Sequence, residues 1–243
     1  MDYVLANGFP YVLGRGVGVG GGALVLPSIA GLTLHLDASA ITGLTDGQAV
    51  AQWDDLSGGA RHVTQATGVN QPTYRTGVQN GRAVVRFDGT NDFMSRTGMS
   101  GISAARNLVA IVAKSSTSGG ERFTFVARQT TGTAALMRLQ SGAHRAQVRS
   151  GNVAATDAPT TWQLHLAHND SVNASYRRTG TLIGTASIIG TNTAPTDLYV
   201  GNEVSGNFWD GDIGEILWYT SATDFSSTDI LALEAYLRGR WDI

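Results

Sequence analysis

The chain of 243 residues contains no cysteine, so neither disulfides nor thiolate metal ligands hold it together, and its stability rests on buried apolar surface. Charge is scarce too: Asp, Glu, Lys and Arg make up 15% of the residues, against about 25% in an average soluble chain. The 17 basic and 19 acidic side chains leave a formal net charge of -2. That balance gives no broad positive field for a phosphate backbone or an anionic lipid surface, so neither nucleic acid nor membrane is expected as a partner. Lysine is nearly missing, Lys114 standing alone beside sixteen arginines, and glutamate occurs four times, at Glu121, Glu203, Glu215 and Glu234.

A membrane-spanning run is lacking as well. Residues Gly16 to Leu36 carry no charge, but six glycines and Pro27 interrupt them, which leaves too few strong apolar residues for a spanning helix. The start, Met1-Asp2-Tyr3 with Arg15 as its first basic residue, lacks the basic and then apolar order of a secretory signal, so passage through general export is not expected.

Glycine is plentiful: 31 in 243 residues, nearly twice the usual share of about 7%. Residues 1–30 read as an extended glycine-rich arm carrying Tyr3, Leu5, Phe9, Tyr11 and Leu13. It is either a tail without structure of its own or an anchor that orders against a neighbouring subunit. From residue 31 to 243 the pattern is that of one domain. Leu32, Leu34 and Leu36 alternate with Thr33 and His35, as in a strand with one buried face. Ten further runs follow, among them Ala83–Asp88, Asn107–Lys114, Trp162–His168 and Ile213–Tyr219, separated by glycine, asparagine and serine. Arg178-Thr179-Gly180 reads as a hairpin turn. One helix is expected, at the end, with Ser226 as N-cap, Asp229 completing a capping box, Ile230, Leu233 and Leu237 on one face, Gly239 as the stop, and Trp241 packing it back. The fold class is all-β, a sandwich of two antiparallel sheets.

Three stretches carry a family resemblance. They are Leu34-His35-Leu36-Asp37-Ala38-Ser39 followed by Val50 to Gly58, then Gln71-Pro72-Thr73-Tyr74 leading to Val84 through Asp92, and Phe208 through Ile216 with the helix ending Tyr236 to Trp241. Together they resemble the concanavalin A-like jelly roll in its laminin-G-like form, found in bacterial surface proteins and phage virion proteins. Their order spans residues 31–243. Physically they are packing signatures: Trp53 and Phe87 supply large buried faces, and Gly89 and Gly211 allow tight turns.

Relatives of that fold include glycan hydrolases, which need paired carboxylates in a cleft. Asp210 and Asp212 share a face of a strand, but Glu215, three further on, points to the opposite side of a regular strand, and the Glu-x-Asp-x-Glu spacing of glucanase relatives is absent. The chain is therefore expected not to be an enzyme. The resemblance also implies calcium at a loop rim, with Asp88, Asn91, Asp92, Asp210 and Asp212 as candidates; the alternative is that Asp88 and Asp210 cap glycine turns. No other cofactor is expected. His165, His168 and Asp170 do not form a metal set, because His165 and His168 fall on opposite strand faces. Sugar binding asks for an exposed aromatic plane beside polar groups, and Trp209 and Phe208 with Asn202, Asn207 and Asp210 fit, unless Trp209 fills the core.

Taken with the arm and the missing export signal, the resemblance implies a bacteriophage virion structural protein: a tail fibre, spike or capsid decoration. It would be made in the host cytoplasm, anchored to other virion proteins through the arm, homo-oligomeric, with a trimer as one expected form, and would attach to host surface polysaccharide. A cement protein without glycan affinity and a polysaccharide-degrading enzyme are the alternatives.

Overall fold

The computed structural model describes residues 24–243 apart from 101, 103, 104, 130, 131, 141, 149, 150, 189–193 and 203–205. Residues Tyr3, Leu5, Phe9, Tyr11 and Leu13 of the expected anchor lie outside the described residues. Within them run sixteen strands: β1 Leu32–Asp37, β2 Gln52–Trp53, β3 Val63–Thr64, β4 Thr73–Gln79, β5 Arg82–Asp88, β6 Met94–Arg96, β7 Arg106–Ser115 and β8 Arg122–Gln129. There follow β9 Gly132–Gln140, β10 Ala143–Val148, β11 Gly151–Ala154, β12 Gln163–Asn169, β13 Asn173–Arg178, β14 Thr181–Ser187, β15 Asp197–Val200 and β16 Asp210–Ser221, then the helix α1, Ser227–Trp241.

The strands form two antiparallel sheets, as the alternating pattern requires. One has the order β14-β13-β12-β7-β16-β5-β4, with β1 also paired to β16, and the other β11-β10-β9-β8-β15-β6-β3-β2. Strand β16 is the spine of the first sheet. It pairs with β7 along its length, while its other edge is shared, β5 taking Asp210 to Ile213 and β1 taking Glu215 to Tyr219. The expected hairpin joins β13 to β14: Thr179 and Gly180 both have positive φ, the requirement of the two-residue turn whose twist matches the strands.

Alternation sorts side chains into two layers. Inward residues of both sheets, including Trp53, Phe87, Phe125, Tyr176, Trp209 and Trp218, make the core between the sheets. Polar pairs sit there too: Asn107 with Asn169, the former accepting from Trp218 Nε1 at 3.0 Å, and His144 of β10 edge-on to His165 of β12 at 4.6 Å, with His165 bonded to the Tyr176 hydroxyl at 2.7 Å. Burial pushes the His144 imidazole down to about 4, so the pair is neutral at pH 7. His168 lies on the other face of β12, as its odd spacing from His165 requires.

The outer face of the first sheet packs a second layer. Val84, Leu108, Val112, Leu164, Leu166, Leu217 and Tyr219 meet Ile230, Leu233, Leu237 and Trp241 of α1. Leu26 and Ile29, in the stretch assigned to the arm, join this layer. The helix begins as the capping box dictates, with the Asp229 amide donating to Ser226 Oγ at 3.1 Å. Gly239 does not end it. The helix runs through Gly239 to Trp241 and is capped by Asp242 in the left-handed region, because the Trp241 ring, fully buried and stacked on Trp162, holds the last turn against the sheet. Side chains of the β4–β5 hairpin take the free carbonyls at that end: Gln79 Nε2 donates to Trp241 O at 2.8 Å and Arg82 Nε to Arg240 O at 2.9 Å. Among the described residues no helix is long and apolar enough to cross a membrane.

Candidate functional site

Strand β16 carries three carboxylates, and the expectation that Glu215 faces away from Asp212 is corrected by a bulge. The register with β7 shifts between Ile213 and Glu215, so Gly214 and Glu215 both point outward. Ile213 and Ile216 remain in the core between the sheets, while Leu217 and Tyr219 pack under the helix. Gly214 is required at this point, because a Cβ there would lie 2.4 Å from the Trp241 ring. Asp210, Asp212 and Glu215 therefore share one face of the sheet but not one environment.

The Glu215 end is sealed. Glu215 is fully buried; its Oε1 is bonded to His35 Nε2 at 2.9 Å, and its Oε2 accepts from Arg240 Nε at 3.0 Å and Trp241 Nε1 at 2.8 Å. Arg240 Nη2 also pairs with Asp37. Burial works against the Arg240 cation, but the Glu215 and Asp37 carboxylates outweigh it and hold the guanidinium above its ordinary value. His35, Asp37 and Glu215 bring three ligand-type atoms within 4.8 Å, the one such group among the described residues. Its oxygens are taken by Arg240 and Trp241, so it is an ion-paired clasp for the helix, not a vacant metal centre.

The other end is open. Beyond the helix the same face forms a cleft of about 430 Å³ lined by Thr73, Arg86, Phe87, Asp88, Asp92, Lys114, Ser116, Asp210 and Asp212. Cross-strand pairing sets its floor in two rows. Thr73, Arg86, Asp212 and Lys114 lie abreast, and Asp88 lies opposite Asp210, whose carbonyl accepts from the Ser116 amide. Arg86 grips both oxygens of Asp212, at 2.6 and 3.0 Å. Asp88 Oδ1 accepts from the amides of Thr90 and Asn91 at 2.8 and 3.1 Å, closing the turn at Gly89. Asp92 is 6% exposed, and its Oδ2 accepts from the Asp88 amide at 3.0 Å. Burial first, then the neighbouring Asp88 charge, raise its carboxyl to about 6. The Asp210 carboxylate has no hydrogen bond or ion pair among the described residues.

The expected calcium set is brought together only in part. Asp88, Asp92, Asp210 and Asp212 share the cleft, whereas Asn91 stays in the turn and is not among its lining residues. With Asp212 chelated by Arg86 and Asp88 holding turn amides, the oxygens do not converge as a hard cation demands. The expected sugar platform is also revised. Trp209 is 1% exposed and belongs to the core between the sheets, so it offers no stacking plane. Asn202 is 5% exposed, Asn207 approaches Glu121 at 3.4 Å, and Phe208 leans on Phe93; of the five, Asp210 alone lines the cleft. Sequence reasoning missed Thr73, Arg86, Lys114 and Ser116. The readable signal was Lys114, the lone lysine of the chain.

No family model matches the sequence, and no curated protein matches it. Solved structures do resemble it in fold. Trypanosoma rangeli sialidase in complex with sialic acid superposes with a TM-score of 0.62 at 13% identity, over 90% of this chain and 34% of that one. An arabinofuranosidase complexed with arabinofuranosyl-α-1,2-xylobiose gives 0.61 at 12%, over 88% and 60%. A GH54 α-L-arabinofuranosidase soaked with a cyclic sulfate inhibitor gives 0.57 at 10%, over 79% and 51%. The chain thus spans about a third of the sialidase and half to three fifths of the arabinofuranosidases. At these identities the likeness establishes a shared β-sandwich. It also corrects the expectation that the chain is not an enzyme: the same sandwich occurs within glycosidase chains, so the missing Glu-x-Asp-x-Glu spacing does not exclude activity.

Proposed function

We propose that the chain is a glycan-acting β-sandwich domain that binds a saccharide in the open cleft and hydrolyses a glycosidic bond there. The observation that carries this reading is Asp92, a buried carboxyl raised to about 6 on the wall of an open cleft that also holds Asp210. Two carboxyl groups whose surroundings set them apart are what acid–base assistance to glycosidic cleavage uses. Asp92 would give its proton to the leaving oxygen. Asp210, free of partners among the described residues, would serve as the second carboxylate, since Asp88 and Asp212 are engaged by turn amides and by Arg86.

The setting in this reading is a virion, with residues 1–30 as the anchor in a homo-oligomer and a host surface polysaccharide as the target. Its support is the concanavalin A-like motif set together with the apolar arm Tyr3 to Leu13. The likeness to glycosidases bears on the carbohydrate and not on the particle.

The test mixes full-length protein with surface polysaccharides and aryl glycosides and records bound protein and new reducing ends together. Release that vanishes in both Asp92→Asn and Asp210→Asn supports the reading. Binding without release would reduce the cleft to a recognition site, and neither signal across the panel would overturn the assignment.

A further inference from the structure

Resting on that reading, we propose that Lys114 is the specificity-determining residue of the cleft, and that its ammonium donates to hydroxyls of an uncharged sugar unit beside the bond addressed by Asp92 and Asp210. The chain has sixteen arginines and one lysine, and that lysine lines this cleft. An arginine here would present a planar fork suited to chelating a carboxylate, as Arg86 already does with Asp212 on the neighbouring strand. A lysine presents three rotatable donors on a flexible stem, which suits the scattered lone pairs of hydroxyl groups.

Geometry leaves those donors free. Lys114 stands abreast of Asp212, but both Asp212 oxygens are held by Arg86 from the opposite side, and Lys114 has no side-chain hydrogen bond or ion pair among the described residues. The row of Arg86, Asp212 and Lys114 sums to one positive charge. The row of Asp88 and Asp210 lies two residues along the strands, about 7 Å away. Beside it stands Asp92, so the lining as a whole has four aspartates against two cations. A sugar bearing a carboxylate would meet Lys114 on one side and these aspartates on the other. A neutral sugar keeps the ammonium contact without that repulsion.

The lone lysine makes a direct experiment possible, because an amine-selective reagent modifies one side chain besides the α-amino group. Reductive methylation of full-length protein is followed by peptide mass spectrometry, with the α-amino group as internal reference. It is run with no sugar, with a neutral oligosaccharide pool, and with pools containing uronic or sialic acids. In parallel, Lys114→Gln and Lys114→Arg are assayed on each cleaved substrate, with melting temperatures to confirm folding. The expected result is that neutral glycan at about ten times its dissociation constant slows Lys114 labelling about tenfold, while acidic glycans do not. Lys114→Gln then raises KM about tenfold on neutral substrate and lowers kcat by less than threefold, and Lys114→Arg does not restore KM. If acidic glycans protect Lys114 better than neutral ones, or if a glycan that is demonstrably cleaved leaves labelling unchanged, this inference falls while the hydrolase reading stands. If no glycan is bound or cleaved, both fall.

Discussion

The two acidic clusters built around the ends of the β16 carboxylate row, Glu215 with Asp37 and Asp210 with Asp92, use the same residue chemistry and behave in opposite ways. At one end Glu215 and Asp37 are buried with Arg240, His35 and Trp241, and every carboxylate finds a partner on the helix or on β1. At the other, Asp210 has no such partner and Asp92 keeps its proton up to about pH 6. The difference lies in what covers them. Helix α1 ends over Glu215, and past the bulge at Gly214 nothing among the described residues covers the sheet, so the same carboxyl chemistry makes a clasp in one place and a cleft in the other. Burial with a complete set of partners fixes charge; burial with an incomplete set leaves it available for proton transfer.

The comparison breaks most sharply at Arg240. Replacing it by Met leaves Glu215 and Asp37 buried without their cation, so urea denaturation is expected to show a loss of about 3–5 kcal/mol, with the kinetics of the folded fraction unchanged. A loss within error would mean that the clasp is open to water. Next comes Asp92→Asn, which removes the proton donor: hydrolysis should fall about a hundred- to a thousandfold while the melting temperature holds or rises. If instead the protein unfolds, the two ends are alike after all.

Gly214→Ala probes the boundary between them. The new methyl meets the Trp241 ring, and a destabilisation of about 1–3 kcal/mol is expected in a thermal melt. The smallest effect is in pH dependence. The ordinary Asp value is 3.8 and the folded value about 6, so the stability that Asp92 contributes is fully present below about pH 3.8 and is lost as pH rises through about 6. His144 acts the other way: with its folded value near 4, its contribution is full above about 6.5 and is lost on acidification. The difference between wild type and Asp92→Asn isolates the first effect. It should shrink by about 2 kcal/mol between pH 4 and pH 7. Hydrolysis, which needs the Asp92 proton, should decline over the upper part of the same window.

Much of the fold was legible because it is written locally. The strand from Leu32 to Asp37, the Thr179-Gly180 turn and the Ser226–Asp229 cap each depend on neighbours in sequence, and each is where it was expected, except that a bulge between Leu32 and Leu34 breaks the alternation and turns Leu32 to the helix side while Leu34 and Leu36 face the core between the sheets. Short strands such as Gln52–Trp53 and Met94–Arg96 escaped notice because two or three residues hold no period. The site was half legible. Asp88, Asp92, Asp210 and Asp212 were singled out, but the face of Glu215 was misread and that of Trp209 was left open between core and surface. A strand pattern assumes regular alternation, and an aromatic residue beside asparagines looks the same whether it points in or out.

By itself the sequence determined an all-β sandwich with one capped helix at its end, since periodicity, turn residues and caps act over a few residues and need no distant partner. Tertiary structure alone decided which carboxylates are sealed and which are open. Bulge, helix length and pairing partner are set by contacts between residues far apart in the chain, such as Trp241 against Gly214 and Arg86 against Asp212, and a side chain takes its chemistry from what those contacts leave uncovered.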